Sequence, residues 1–173
     1  MTILRNGALA ATLGACAALS PMTALAEGNL LAAANGIEIT DAYARSAGAM
    51  ARAGAAFMAV TNTTDSDDRM IDALSDISAR VELHTHIVTD GVARMTRLED
   101  GIPIPAGETV NLERGGLHVM FMGLNGGMEE GETVDVTLVF QNAGEIPVAI
   151  PVDLVRGGPM DGRGKGMKPA AAN

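Results

Sequence analysis

Cysteine is almost missing from this sequence. The only one is Cys16, and it lies in a segment expected to be removed. The chain opens MTILRNGALAATLGACAALSPMTALAEGN, where Arg5 precedes a run of small residues and leucines that ends in the small-x-small pattern Ala24-Leu25-Ala26. That layout is a secretory signal peptide over residues 1–26. Long hydrophobic runs are missing too. The leader's run is short and broken by Ser20-Pro21, so no stable membrane insertion is expected. Leu13-Gly14-Ala15-Cys16 offers a competing layout, a lipoprotein cleavage box. The apolar run before Cys16 is very short and continues beyond it, which favours a freely exported protein over a lipid-anchored one. Removing 26 of 173 residues leaves 147, the size of one domain able to bury its own core. The exported chain then has no disulfide, no thiolate nucleophile and no thiolate metal ligand.

Positive charge is sparse. Twelve Lys and Arg face twenty-one Asp and Glu for a formal charge of −9, and loss of Arg5 moves it to about −10. Such a chain is a poor partner for nucleic acid or an anionic membrane surface, and suits a cationic ligand or a basic partner patch. Catalytic constellations are likewise missing. There is no Ser/His/Asp arrangement and no glycine-rich phosphate loop, and the acids are scattered as on a solvated surface. An enzyme is not expected.

Tryptophan is absent and helix-period patterns are scarce. What recurs is short alternation bounded by Gly, Asn, Asp or Pro. GAAFMAVTNTT puts Ala56, Met58 and Val60 on one side, and GETVDVTLVFQNAG does the same with Val134, Val136, Leu138 and Phe140. EIPVAIPVDL aligns Ile146, Val148, Ile150 and Val152, with Pro147 and Pro151 opposite, which marks a sheet edge. IEITDAYAR, the Met70 region, VELHTHIV, VARMTRL, ETVNLERG and LHVMFMG complete nine strand candidates. The pattern predicts an all-β sandwich or barrel over residues 36–156. Residues 27–35 read as a loose leader, and the Gly/Met/Lys tail 157–173 reads as disordered.

Histidine is scarce as well, and its three copies are clustered. His84 and His86 sit in VELHTHIV and His118 in LHVMFMG. Residues two apart in a strand share a face. Glu82, His84 and His86 therefore oppose Val81, Leu83 and Ile87, while His118, Met120 and Met122 oppose Leu117, Val119 and Phe121. Asp90-Gly91 is a strong two-residue hairpin signal. Placing it in the turn makes paired residue numbers sum to 181, which sets His86 across from Met95 and His84 diagonal to it. The same register sets Glu82 against Glu99, an unfavourable pair. Imidazole with thioether favours copper, Cu(I) first and Cu(II) second, over oxygen-seeking Mg²⁺ or Ca²⁺. Zinc accepts histidine but rarely methionine. Met58 and Met70 are assigned to packing. Met160 and Met167 in the tail are candidates for a second soft-metal site.

His84, ten residues, Met95, twenty-two more, then His118-x-Met120 resembles the signature of the periplasmic PCuAC copper chaperones. ITDAYAR, GAAFMAVTNTTD, DRMIDALSD, RVELHTH, DGVARM, IPAGETVNLERGGLHVMFMGL and VDVTLVFQNAGEIPVAIPV look like that family's segments in its order, over residues 36–153. The resemblance implies a cupredoxin-like Greek-key β-sandwich and Cu(I) ligation by His84, Met95, His118 and Met120. His86 stands where many relatives carry methionine and is kept as an auxiliary ligand, and Met122 is assigned to packing beside the site. The resemblance also implies delivery of copper for assembly of cytochrome c oxidase. The expected partner is the oxidase's copper-bearing subunit or a thioredoxin-like copper assembly protein. A copper buffer or resistance protein with no link to the oxidase is the competing function. A blue-copper electron carrier is disfavoured, because its His₂Cys site needs a thiolate.

Overall fold

Asn35 and Gly36 have φ of 50° and 81°, the left-handed pair of a type I′ turn. They fold the start of the domain back on itself, pairing Ala34 with Ile37 and Ala33 with Glu38. The computed structural model of the chain describes residues 29–48, 50–89 and 92–156. The expected signal peptide, the Asp90-Gly91 turn and the tail with Met160 and Met167 lie outside the described residues.

Eleven strands are formed among the described residues, and no helix. They are β1 (Leu30–Ala34), β2 (Ile37–Ser46), β3 (Ala53–Asn62), β4 (Asp68–Leu74), β5 (Ser78–Thr89), β6 (Val92–Arg97), β7 (Ile102–Ile104), β8 (Thr109–Leu112), β9 (His118–Leu124), β10 (Thr133–Phe140) and β11 (Gly144–Pro151). Strand β1 corrects the expected loose leader over 27–35. Its sequence LLAAA has no alternation to betray it, but the Asn-Gly turn delivers it onto β2, where Leu31, Ala32 and Ala34 pack against the core. Strand β7, the tripeptide IPI, is the other addition to the sequence reading.

One sheet has the order β1-β2-β3-β9-β5-β6, with β8 pairing the far half of β3, and the other has the order β11-β10-β4-β7. Every named pairing is antiparallel. The chain changes sheet after β3, β4, β6, β7 and β9, which is the connectivity of a Greek-key sandwich. The inward faces meet in one apolar core containing Ile39, Val60, Val119 and Phe121 from the larger sheet and Met70, Ile104, Leu138 and Ile150 from the smaller. Met58 and Met70 are buried in it, as their assignment to packing requires. Strand β11 is an edge, with Pro147 and Pro151 on its exposed face, as the prolines predict.

A bulge in β2 matters for the site. The register against β3 slips between Thr40 and Tyr43, where Asp41 takes a φ of 56°. Before it Ile37 and Ile39 point inward, and after it Ala42 and Ala44 do. The extra residue reverses the phase of the strand and turns Tyr43 to the outer face. There its ring lies 5.1 Å from that of Phe57, centroid to centroid.

Candidate metal centre

The outer face of the larger sheet gathers all three histidines. The β5–β6 ladder pairs His84 with Arg97, His86 with Met95 and Thr89 with Val92, the register that the turn residues predict. On the other side of β5, His84 faces His118, Leu83 faces Val119 and Glu82 faces Met120. Leu83, Val119 and Phe121 go into the core, which leaves the histidines and Met120 outside. The His118 ring is the hub. It lies 5.9 Å from the His84 ring and 5.2 Å from the His86 ring.

Met95 is 52% exposed on an edge strand whose every residue is exposed. Met120 is two residues along from His118 and diagonal to His84 in the ladder. Met122 pairs with Arg80 and Ala53, one step further from the rings. The backbone thus brings all four expected ligands, and His86, into one corner formed by β5, β6 and β9.

Two of these rings have their protons fixed by a neighbour. His118 Nδ1 is 3.0 Å from the carbonyl oxygen of Gly116. A carbonyl only accepts, so Nδ1 carries the proton and Nε2 keeps its lone pair. That carbonyl is presented by the Glu113–Gly116 turn, in which Gly115 adopts a φ of 84°. His84 is arranged the other way round. Its Nε2 is 2.8 Å from Glu82 Oε2, so Nε2–H donates to the carboxylate and the free lone pair is on Nδ1. That Nδ1, and Nδ1 of His86, are buried with no hydrogen-bond partner. An unpaired buried polar atom costs roughly 1–3 kcal/mol, and at His84 the unpaired nitrogen is the one that carries the lone pair.

Although it lies on the outer face, His118 is only 2% exposed, partly because Phe57 covers it at 6.2 Å between ring centroids. Burial pushes its pKa down; the Gly116 hydrogen bond opposes that shift, and His86 and His84 add to it. Glu82 is 8% exposed. Its carboxyl is held below the usual range first by the His84 hydrogen bond, against desolvation, with Arg97 and Arg80 assisting. Each arginine has Nη1 3.5 Å from Glu82 Oε1. The expected clash of Glu82 with Glu99 does not arise, because the β5–β6 ladder ends at Arg97.

Among the described residues, no three His, Cys, Asp or Glu side chains form a group that could hold a metal by themselves. A metal held here would need donors of another kind as well, and Met95 and Met120 are ladder neighbours of these histidines. The sequence reading placed Glu82 on the histidine face without giving it a role, and missed Gly116 and Phe57 as parts of this corner. For Glu82 and Phe57 the strand alternation held the signal, since it puts a carboxylate beside the histidines and a phenylalanine on the polar side of β3.

Residues 37–152 match the family described as "Putative lipoprotein LpqE-like". The chain belongs to this family. Among curated proteins, the LpqE-like chain is 34% identical over 137 residues to "Putative lipoprotein Lxx21020" of Leifsonia xyli subsp. xyli, covering 79% of this chain and 80% of the relative. Among solved structures it resembles a copper-bound PCuAC domain from PmoF2, at 27% identity and a TM-score of 0.61, covering 72% of this chain and 97% of that domain. It also resembles the Cu(I) form of DR1885 from Deinococcus radiodurans, at 32% identity and a TM-score of 0.55, covering 70% of this chain and 82% of that one. The LpqE-like chain thus has the all-β, cupredoxin-like architecture of PCuAC domains.

Proposed function

We propose that this protein is an exported copper carrier. It takes Cu(I) between His84, Met95, His118 and Met120, with His86 as an auxiliary donor, and passes the ion on for assembly of the copper site of cytochrome c oxidase. The observation that carries this reading is the pair of buried, unpartnered imidazole nitrogens, His84 Nδ1 and His86 Nδ1, packed around His118 and next to Met95 in the ladder. The description of two similar structures as copper-bound and Cu(I) forms supports the choice of ion. So does the donor chemistry, which is neutral, half soft and without thiolate.

The division of labour follows from exposure. His118, which is buried, and His84, which is partly buried, form the inner wall, each with its spare nitrogen already engaged. Met95 is the exposed outer donor and the first to be exchanged for a ligand of the acceptor. A stepwise swap of thioether for an incoming donor lets the ion leave without becoming free. The acceptor is the copper-bearing oxidase subunit or a thioredoxin-like assembly protein, and the protein itself acts as carrier rather than catalyst.

Export rests on the leader sequence and on the word lipoprotein in the descriptions of the family and of the curated relative. That word gives the Cys16 box more weight than sequence alone lends it. Mass spectrometry of the mature N-terminus separates a chain starting near residue 27 from one lipidated at Cys16.

The direct test is anaerobic Cu(I) titration against a competing chelator. Met95→Leu, Met120→Leu and His84→Ala are each expected to weaken binding tenfold or more, and His86→Ala less. Wild-type affinity in both methionine variants would overturn the thioether site. Deleting the gene and measuring copper in the oxidase distinguishes delivery from buffering, since loss of a buffer leaves assembly intact at ordinary copper.

A further inference from the structure

Glu82 is a charged residue on the outer face of a sheet, yet it is almost fully buried. Its two oxygens are divided between partners. Oε1 faces the exposed guanidiniums of Arg80 and Arg97, and Oε2 meets His84 Nε2 at 2.8 Å, the shorter of the two kinds of contact. We infer that Glu82 is the positioning residue of the site: it locks the proton of His84 on Nε2 and so turns the ring's Nδ1 into the cluster. This rests on the copper reading only for what Nδ1 is there to meet.

The structure gives the inference an internal contrast. His118 is held through Nδ1 by the Gly116 carbonyl and presents Nε2, whereas His84 is held through Nε2 and presents Nδ1. Two histidines facing each other across adjacent strands thus carry opposite tautomers, each imposed by an acceptor on its far side. The acceptors also differ in kind. A carboxylate binds the ring's N–H more strongly than a carbonyl and makes the opposite nitrogen a better donor. His84 is then the stronger and His118 the weaker nitrogen ligand of the pair.

Long-range ¹H–¹⁵N correlation on the ¹⁵N-labelled apo protein at pH 8 reads these protons directly. His84 is expected to be protonated at Nε2 and His118 at Nδ1, and Cu(I) should shift the other nitrogen of each ring. Glu82→Gln is expected to blur the His84 pattern into a mixture, leave His118 as it was, and weaken Cu(I) binding about tenfold. Arg80→Gln and Arg97→Gln, which disturb only the other oxygen, should leave the His84 pattern in place. A wild-type apo protein with His84 protonated at Nδ1 overturns the inference without recourse to any variant. So does a folded Glu82→Gln that keeps both the His84 pattern and wild-type affinity. Failure of the wild type to bind Cu(I) would remove the proposed function instead, while the apo tautomers still decide what Glu82 does.

Discussion

The outer faces of the two sheets obey different rules. On the smaller sheet, β11 alternates buried apolar residues with exposed Glu145, Pro147, Ala149 and Pro151, so each side chain lies where its hydrophobicity puts it. On the larger sheet, Glu82 and His118 also face away from the core, yet they are as hidden as core residues. Burial without hydrophobicity sets the two faces apart. A sheet that only had to cover a core would carry on β5 and β9 what it carries on β11. The cost of hiding polar groups is offset where partners exist and left standing at two imidazole nitrogens, the two on which the proposed copper site rests.

The contrast can be broken from either side. The largest effect is expected in the core beneath the smaller sheet, where Leu138 is fully buried. Leu138→Ala should cost about 2–5 kcal/mol in urea denaturation, while Cu(I) affinity of the remaining folded protein stays near wild type. Met95→Leu should do the reverse. This exposed edge residue is expected to leave stability within about 0.5 kcal/mol, while the tenfold loss of Cu(I) affinity corresponds to about 1.4 kcal/mol. Equal affinity in the two variants would erase the division between scaffold and site.

Acid should act on the polar corner next. Burial lowers the pKa of His118 from the ordinary 6.5, so below that value the unfolded chain takes up a proton that the folded one refuses. Stability therefore falls as pH drops from about 6.5 toward the lowered value. Glu82, also lowered, adds its own loss once pH falls below its ordinary 4.5. Urea midpoints measured from pH 7.5 to 5.5 should decline in the wild type and decline less in His118→Gln. Cu(I) affinity should weaken below about pH 6 as imidazoles protonate, and a flat profile would rule out histidine ligation. The smallest effect is expected at Pro147→Thr on the exposed face of β11. Stability should change by about 0.5 kcal/mol or less, and self-association seen by light scattering should rise as a blunted edge regains a donor.

Much of this was legible before any coordinates, because period-two alternation fixes which side chains share a face and a two-residue turn fixes register. The sum rule from Asp90-Gly91 paired His86 with Met95, and the two prolines identified β11 as an edge. What escaped has physical reasons. LLAAA carries no alternation, so β1 is specified by the Asn35-Gly36 turn rather than by its own residues. IPI is too short to show a period. The role of Glu82 could not be read from the β5–β6 register, which set it against Glu99. Its real neighbour in the ladder, Met120, is contributed by a third strand far along the chain. The phase reversal at Asp41 that brings Tyr43 beside Phe57 is a single inserted residue, invisible to a pattern that assumes unbroken alternation.

The order of the larger sheet places β1 and β6 at opposite ends. Five inter-strand steps of about 4.8 Å separate them, roughly 24 Å in all. The polypeptide enters the domain at β1, so any leash on that side, lipid or otherwise, grips the rim remote from the methionine hairpin. A tether attached there would leave about the width of the sheet between its point of attachment and β6.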